Sequence, residues 1–278
     1  MRSVLPSALR NVFVALVAAC GLVGSACGGH PEVVADESAA LAEDGTDASE
    51  VESYASALSA TFTLPSTDLT SGMLVTAASK TQGFFAPAGC LVTTVDTPTA
   101  TVTHEFKNCA GPWGLLRVNG SVRVTYVSTI VDGQTALKLE VTGTGLTLNR
   151  ATLDYHATAI VFAKGLARRM KYASQLEGKT AHGRTASRTT DWTVAWSVGE
   201  ACLAVDGSAE GNITGRPLKT TVKGYRRCRG GCPEKGGEIA VLNEKTGNSI
   251  SIHYNGGSSA TFTGVHATPM DFVVACGI

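Results

Sequence analysis

Aromatic side chains are scarce in this chain, 6% of 278 residues, and net charge is absent, since 23 basic residues balance 23 acidic ones. The balance selects no class of partner by itself. Few aromatics leave no basic-aromatic interleaving of the kind that binds nucleic acid. They also leave a membrane-spanning β-barrel without its aromatic girdles. No apolar run reaches the roughly 20 residues of a transmembrane helix. HExxH, GxSxG and GxxxxGK[ST] are all missing, so zinc-protease, hydrolase and nucleotide signatures are not there to read. No cofactor is expected.

Glycine is plentiful, at 31 residues, and Thr, Ser and Val crowd the middle of the chain. That mixture favours strands and turns over helices. The N-terminus is different. Arg2 and Arg10 precede an apolar stretch from Asn11 to Val23, and Gly24, Ser25 and Ala26 run into Cys27. A short apolar run with basic flank and small residues is a signal peptide. Small residues before a cysteine make a lipobox, whose thiol takes a diacylglyceryl group. Val17-Ala18-Ala19-Cys20 also fits, so Cys20 is the alternative to Cys27; cutting there leaves a very short apolar region. An ordinary secretory signal cut near Ala26 is the remaining option. Gly28 follows Cys27, and Gly21 follows Cys20. By resemblance to lipoproteins sorted by that position, a residue other than Asp implies the outer membrane.

Three segments follow: residues 1–26 as signal peptide, 27–50 as a disordered acidic tether, and 51–278 as a β-rich exported domain with a sub-boundary allowed near 230. Glu32, Asp36, Glu37, Glu43, Asp44, Asp47, Glu50 and Glu52 stand among Ala, Ser and Gly. Such a stretch buries too little apolar surface to offset its ordering entropy, and its self-repulsion extends it. Within 50–84, Val51, Tyr54, Ala55 and Leu58 share a helical face. From about 90 onward, short alternating segments separated by glycine turns predict an all-β fold, an antiparallel meander or sandwich.

Six cysteines remain: Cys90, Cys109, Cys202, Cys228, Cys232 and Cys276. An even number in an exported chain implies up to three disulfides. Paired positions in a hairpin sum to a constant. The midpoint of 90 and 109 is 99.5, beside Asp96-Thr-Pro-Thr-Ala100, and that of 202 and 228 is 215, at Gly215-Arg216-Pro217. Cys232 and Cys276 then bracket four strand-like segments, whose first start and last end share an edge. Cys228–Cys232, a tight loop, is the rival pairing. Cys228-x₃-Cys232 has metal-like spacing, but no matching ligand pair accompanies it, so no metal is expected.

Phe84-Phe-Ala-Pro-Ala-Gly-Cys90, Asn108-Cys-Ala-Gly-Pro-Trp-Gly-Leu115, Cys228-Arg-Gly-Gly-Cys-Pro233 and the closing Cys276 are together similar to a pattern in uncharacterised bacterial lipoproteins. Those have a lipobox, a tether and a β-rich body. The resemblance implies a lipid-anchored envelope location and transfers no catalytic residue.

Between Lys164 and Lys235 stand 14 bases against six acids. Arg168, Arg169, Lys171, Arg226, Arg227 and Arg229 are the candidate surface for an anionic envelope polysaccharide or lipid; a solvated strand face or a charge-protected sheet edge explains them better. His104 and His156 lie in mid-strand and His253 precedes a turn. Trp192 and Trp196 share a strand face with Val194, a core pattern more than a sugar platform. The functions left standing are a non-catalytic, lipid-anchored envelope scaffold or binding module, and a periplasmic carrier or chaperone for a lipid or apolar ligand. A hydrolase with an unrecognised site is third. A wide apolar groove favours the carrier, and a dry, filled core with a basic outer face favours the scaffold.

Overall fold

The computed structural model describes residues 32–63, 71–111, 116–197, 202–228 and 231–274. Two helices, α1 (Glu32–Thr61) and α2 (Ser71–Gln82), precede thirteen strands. These are β1 (Leu91–Asp96), β2 (Thr101–Ala110), β3 (Arg117–Val131), β4 (Gln134–Leu148), β5 (Ala151–Lys164), β6 (Ala167–Lys179) and β7 (Thr185–Ser197). Then come β8 (Cys202–Ile213), β9 (Arg216–Cys228), β10 (Glu238–Asn243), β11 (Ser249–Gly256), β12 (Ser259–Thr263) and β13 (Met270–Val273). All belong to one antiparallel sheet in sequence order, so the fold is an all-β meander. Strands β9 and β10 pair directly, so the sheet continues across the sub-boundary allowed near 230.

Alternation sets the two faces. In β5, Ala151, Leu153, Tyr155, Ala157, Ala159 and Val161 are buried, while Thr152, Asp154 and His156 point out. The inner face carries the core, which includes Val122, Val124, Leu139, Val141, Tyr172 and Leu176. Trp192, Val194 and Trp196 lie half-buried on it and join the main core to a second cluster of Leu203, Val205, Tyr225, Ile239 and Tyr254. The tryptophans are packing residues.

What covers the inner face is α1, and here the expected tether is corrected. Residues 32–50 are helical, and α1 packs on β5 and on β7 through β11. Its contacts fall in stripes. Leu41, Ala48, Val51, Ala55 and Leu58 are buried against the sheet. Ser38, Gly45, Glu52 and Ser59, each two helical turns from the next, form a small and polar stripe that crosses the strands in reverse order. Ser38 Oγ accepts from the Val265 amide beyond β12 at 2.9 Å, and Gly45 lies against Val241 of β10. Glu52 meets Arg188 of β7 at 2.7 Å, and the hydroxyls of Tyr155 in β5 and Tyr172 in β6 approach Ser59. A third stripe touches alternate turns at one end of the sheet. Glu37 accepts from Asn248 at 3.0 Å, Asp44 pairs with Arg216 at 2.7 Å, Asp47 with His182 at 2.6 Å, and Tyr54 reaches Asn149.

Four acids of the helix, Glu43, Asp44, Asp47 and Glu52, are therefore met by bases. Asp44 is also paired with Arg184, and that arginine reaches Glu43 at 3.3 Å and Asp47 at 3.2 Å. Composition alone gives such a segment no means to fold; bases more than 130 residues away supply it. The helix also shapes the sheet. From Ser38 to Phe62 it advances about 36 Å at 1.5 Å per residue. Phe62 stacks on His104 of β2 at 4.8 Å. The ladder from β12 to β2 covers ten inter-strand steps, roughly 48 Å along the arc. A chord shorter than its arc means that the sheet curves around α1.

Two disulfides join the expected pairs. Cys202 lies opposite Cys228 in the β8–β9 ladder, with Cα atoms 3.8 Å apart. Cys90 and Cys109 are bonded with Cα atoms 5.3 Å apart. The β1–β2 ladder pairs Asp96 with Thr101, so it is centred one residue before 99.5. Lys107, whose amide donates to the Cys90 carbonyl at 2.9 Å, therefore stands opposite Cys90, and Cys109 bonds to Cys90 from two residues further along β2, past the irregularity where Asn108 has φ 52°. Cys232 is disulfide-bonded as well; its proposed partner Cys276 lies outside the described residues, as do Cys20 and Cys27.

Removing one partner of the Glu52–Arg188 pair leaves a buried charge uncompensated, which costs about 3–5 kcal/mol. Arg188→Met is expected to lower the unfolding free energy by that amount, and Glu52→Leu combined with Arg188→Met to restore most of it. Equilibrium denaturation of the two variants measures this; a double variant as weak as the single one contradicts it.

Candidate functional site

The candidate basic residues divide between the two faces of the sheet. The register places Arg169, Ala195, Ala204 and Arg226 in one row on the outer face, whereas Arg168, Trp196, Leu203 and Arg227 form the adjacent row on the inner side. Alternation forces this split, because consecutive residues of a strand face opposite ways. Each base also has a local partner. Arg168 donates to the Gly165 and Ala167 carbonyls at 2.7 and 3.0 Å, and Arg169 lies 4.7 Å from the Phe162 ring. Lys171 reaches Asp132 at 3.9 Å, Arg226 pairs with Glu234 at 3.1 Å, and buried Arg227 donates to the Gly231 carbonyl at 3.0 Å. Arg229 lies outside the described residues.

A depression instead opens on the outer face of β3, β4 and β5. It is an open trough of about 520 Å³ lined by Ser121, Arg123, Thr125, Glu140, Thr142, Thr144 and His156. The register makes these a grid: Ser121 faces Thr144, Thr125 faces Glu140, and Arg123, Thr142 and His156 stand in one row across three strands. Beside the grid, three successive ladders each slip: β2–β3 between Phe106 and Cys109, β3–β4 between Asn119 and Ser121, and β4–β5 between Gly143 and Leu146. Bulges bend a strand and increase its twist; three in register fold an outer face that would otherwise be convex.

Glycine makes the bend possible at two positions. Gly120 has φ 113°, a conformation side chains rarely adopt. A Cβ on Gly143 would sit 2.3 Å from Leu146 Cδ1 and 2.8 Å from Tyr155 Cε1. The Asp154 carboxylate accepts the Gly145 amide and fixes the slipped turn of backbone.

The trough's polar groups are oriented. Thr142 Oγ1 and His156 Nδ1 lie 3.2 Å apart. Lys138 holds Glu140 at 2.7 Å. Its hydrogen bond and positive charge, with a smaller contribution from His156, hold that carboxyl below the usual range. Arg123 has no ion-pair or hydrogen-bond partner among the described residues. Of these residues the sequence singled out only His156, as a mid-strand histidine. The alternation Ser121-x-Arg123-x-Thr125 and Glu140-x-Thr142-x-Thr144 marks an exposed face but gives no hint of the bend that makes it concave.

One further grouping joins residues from distant parts of the chain. Ligand-type atoms of Asp47, Glu50 and His182 lie within 4.8 Å of one another. Asp47 also accepts from Thr180 and meets Arg184, both at 3.2 Å, and Tyr54 donates to Glu50. Helix–sheet contacts at Asp47 and a contact within α1 at Glu50 thus already engage these carboxylates. His104 is buried between Phe62 and Phe106, and burial pushes its imidazole down to about 4, which makes it a neutral core residue.

Comparison with protein-family models, with curated proteins and with solved structures finds no match. Among the described residues no helix is long and apolar enough to cross a membrane.

The hydrogen bond and charge of Asp47 raise the His182 pKa above its ordinary 6.5. A raised histidine contributes stability that is complete below the unfolded value and is lost as pH rises through the folded one. The difference in melting temperature between the native chain and His182→Gln is therefore expected to be largest below pH 6.5 and to shrink on the alkaline side. A difference that grows with pH contradicts the pairing.

Proposed function

We propose that this chain is a lipid-anchored, non-catalytic binding module of the cell envelope, held at the outer membrane through Cys27 and working through the outer face of its sheet. The observation that carries this reading is the occupancy of the inner face. A carrier of an apolar ligand needs an apolar concavity, and α1 lies in that concavity with Val51, Ala55 and Leu58 fully buried. The trough on the opposite face is lined by hydroxyl, guanidinium, imidazole and carboxylate groups, which suit a polar, hydrated partner. Glu140, its lining carboxylate, is engaged by Lys138 and so does not orient His156 as the acid of a hydrolytic triad would.

Two measurements test the two halves of the proposal. In bacteria producing the full chain with a radiolabelled fatty acid, label is expected on the native protein and on Cys20→Ala but not on Cys27→Ala. Label that follows Cys20 moves the anchor, and no label on any form removes it. Detergent-solubilised protein is expected to co-sediment with purified envelope polysaccharide and to take up no fluorescent fatty acid. Stoichiometric uptake without sedimentation would make the chain a carrier instead.

A further inference from the structure

We infer that the outer-face trough is a saccharide site specific for sugars bearing a carboxylate, with Arg123 as the group that receives it. This rests on the binding-module reading and names its ligand. Arg123 stands in mid-trough on β3, its guanidinium without an ion-pair or hydrogen-bond partner among the described residues. The other described arginines of the argument, Arg184, Arg188 and Arg216, are taken up by α1, and Arg226 is paired with Glu234. A planar guanidinium offers two parallel N–H donors that match a carboxylate. Trough and cation therefore coincide at one residue.

The rest of the lining suits the body of a sugar. Ser121, Thr125, Thr142 and Thr144 present hydroxyls from two adjacent strands in paired register. Ser121 and Thr144 can donate and accept, as ring hydroxyls require, while Thr125, which donates to Thr101 Oγ1 at 3.2 Å, offers an acceptor. His156 keeps Nδ1 at Thr142 Oγ1, 3.2 Å away, which leaves its Nε2 edge for a ligand. Residues of one row on neighbouring strands stand about 4.8 Å apart, so Arg123, Thr142 and His156 span roughly 10 Å, the length of two sugar rings. Glu140, neutralised by Lys138 at 2.7 Å, does not cancel the attraction of Arg123 for an anion. Among the described residues no Phe, Tyr or Trp lines the trough, so recognition rests mainly on hydrogen bonds and charge, and weakens with salt.

The test is a calorimetric titration of the detergent-solubilised full chain with tetragalacturonate, with cellotetraose as the uncharged sugar and acetate as the carboxylate without a sugar. Tetragalacturonate is expected to bind, cellotetraose at least about tenfold more weakly, and acetate not to compete at equal concentration. Loss of a charge-assisted bidentate contact is expected to weaken binding by roughly ten- to a hundredfold in Arg123→Met. Arg123→Lys recovers only part of it, and Thr142→Val costs a few-fold. Arg123 is exposed, so unchanged melting temperatures accompany these losses. Equal binding by native chain and Arg123→Met, equal affinity for cellotetraose, no binding of tetragalacturonate, or displacement by acetate each overturns the inference. Co-sedimentation with envelope polysaccharide that persists in Arg123→Met overturns the trough assignment while leaving the binding module standing. Loss of co-sedimentation in the native chain removes the binding module itself.

Discussion

Asp44 and Asp47 are buried acids on a helix, held between arginines and a histidine that come from the turns of a sheet beginning far down the chain. A carboxylate taken out of water without compensation would neutralise or eject its helix. Here Arg184 and Arg216 close on Asp44, His182 and Thr180 on Asp47, and Arg188 on Glu52. Burial pushes the Glu52 carboxyl up, and Arg188 opposes the push. Buried ion pairs contribute little net stability but impose a strong penalty on any arrangement that separates them. Their role in this fold is to specify register: Asp44 must meet two neighbouring turns, Asp47 the β6–β7 turn and Glu52 strand β7 itself, so α1 has one position along the sheet. Curvature follows, because a straight helix touching β2 and β12 is shorter than the ladder between them.

The two chemically uneven stretches of the chain explain one another. An acidic segment near the N-terminus reads as a solvated tether, and a basic segment from 164 to 235 reads as a surface for an anionic partner. Three of those bases, Arg184, Arg188 and Arg216, answer the acids of α1, and Lys171, Lys219 and Arg226 pair with acids elsewhere in the molecule. The basic charge is also divided by strand alternation, as Arg168 and Arg227 on one side and Arg169 and Arg226 on the other show. Neutral overall charge, which seemed uninformative, has internal complementarity as part of its cause.

Strands, their order and two cysteine pairs were legible because they depend on local alternation and on turn residues. The 202–228 pair forms across the Gly215 turn with a register shift between Val205 and Gly207 that aligns the two cysteines, and the 90–109 pair forms although the ladder sets Lys107 against Cys90. The first twenty residues of α1 were not legible. Its buried surface is spread over apolar, small-polar and acidic stripes, so no single amphipathic face stands out, and the groups that make burial of the acids possible are non-local. The trough was hidden for a related reason: its residues are an ordinary exposed row, and only the alignment of three bulges on separate strands makes that row concave. One of its residues, His156, was noticed; Arg123, the cation on which the site turns, was not.

A helix inside and a polar trough outside divide the labour of the two faces, and the division depends on α1 lying on the sheet. Native-state hydrogen exchange of the full chain reads this directly. Amides from Leu41 to Leu58 are expected to exchange as slowly as those of β5 and β7, the strands α1 covers, because they open only with the core. Exchange of the same amides at the rate of an unstructured peptide, while the sheet stays protected, would contradict the account.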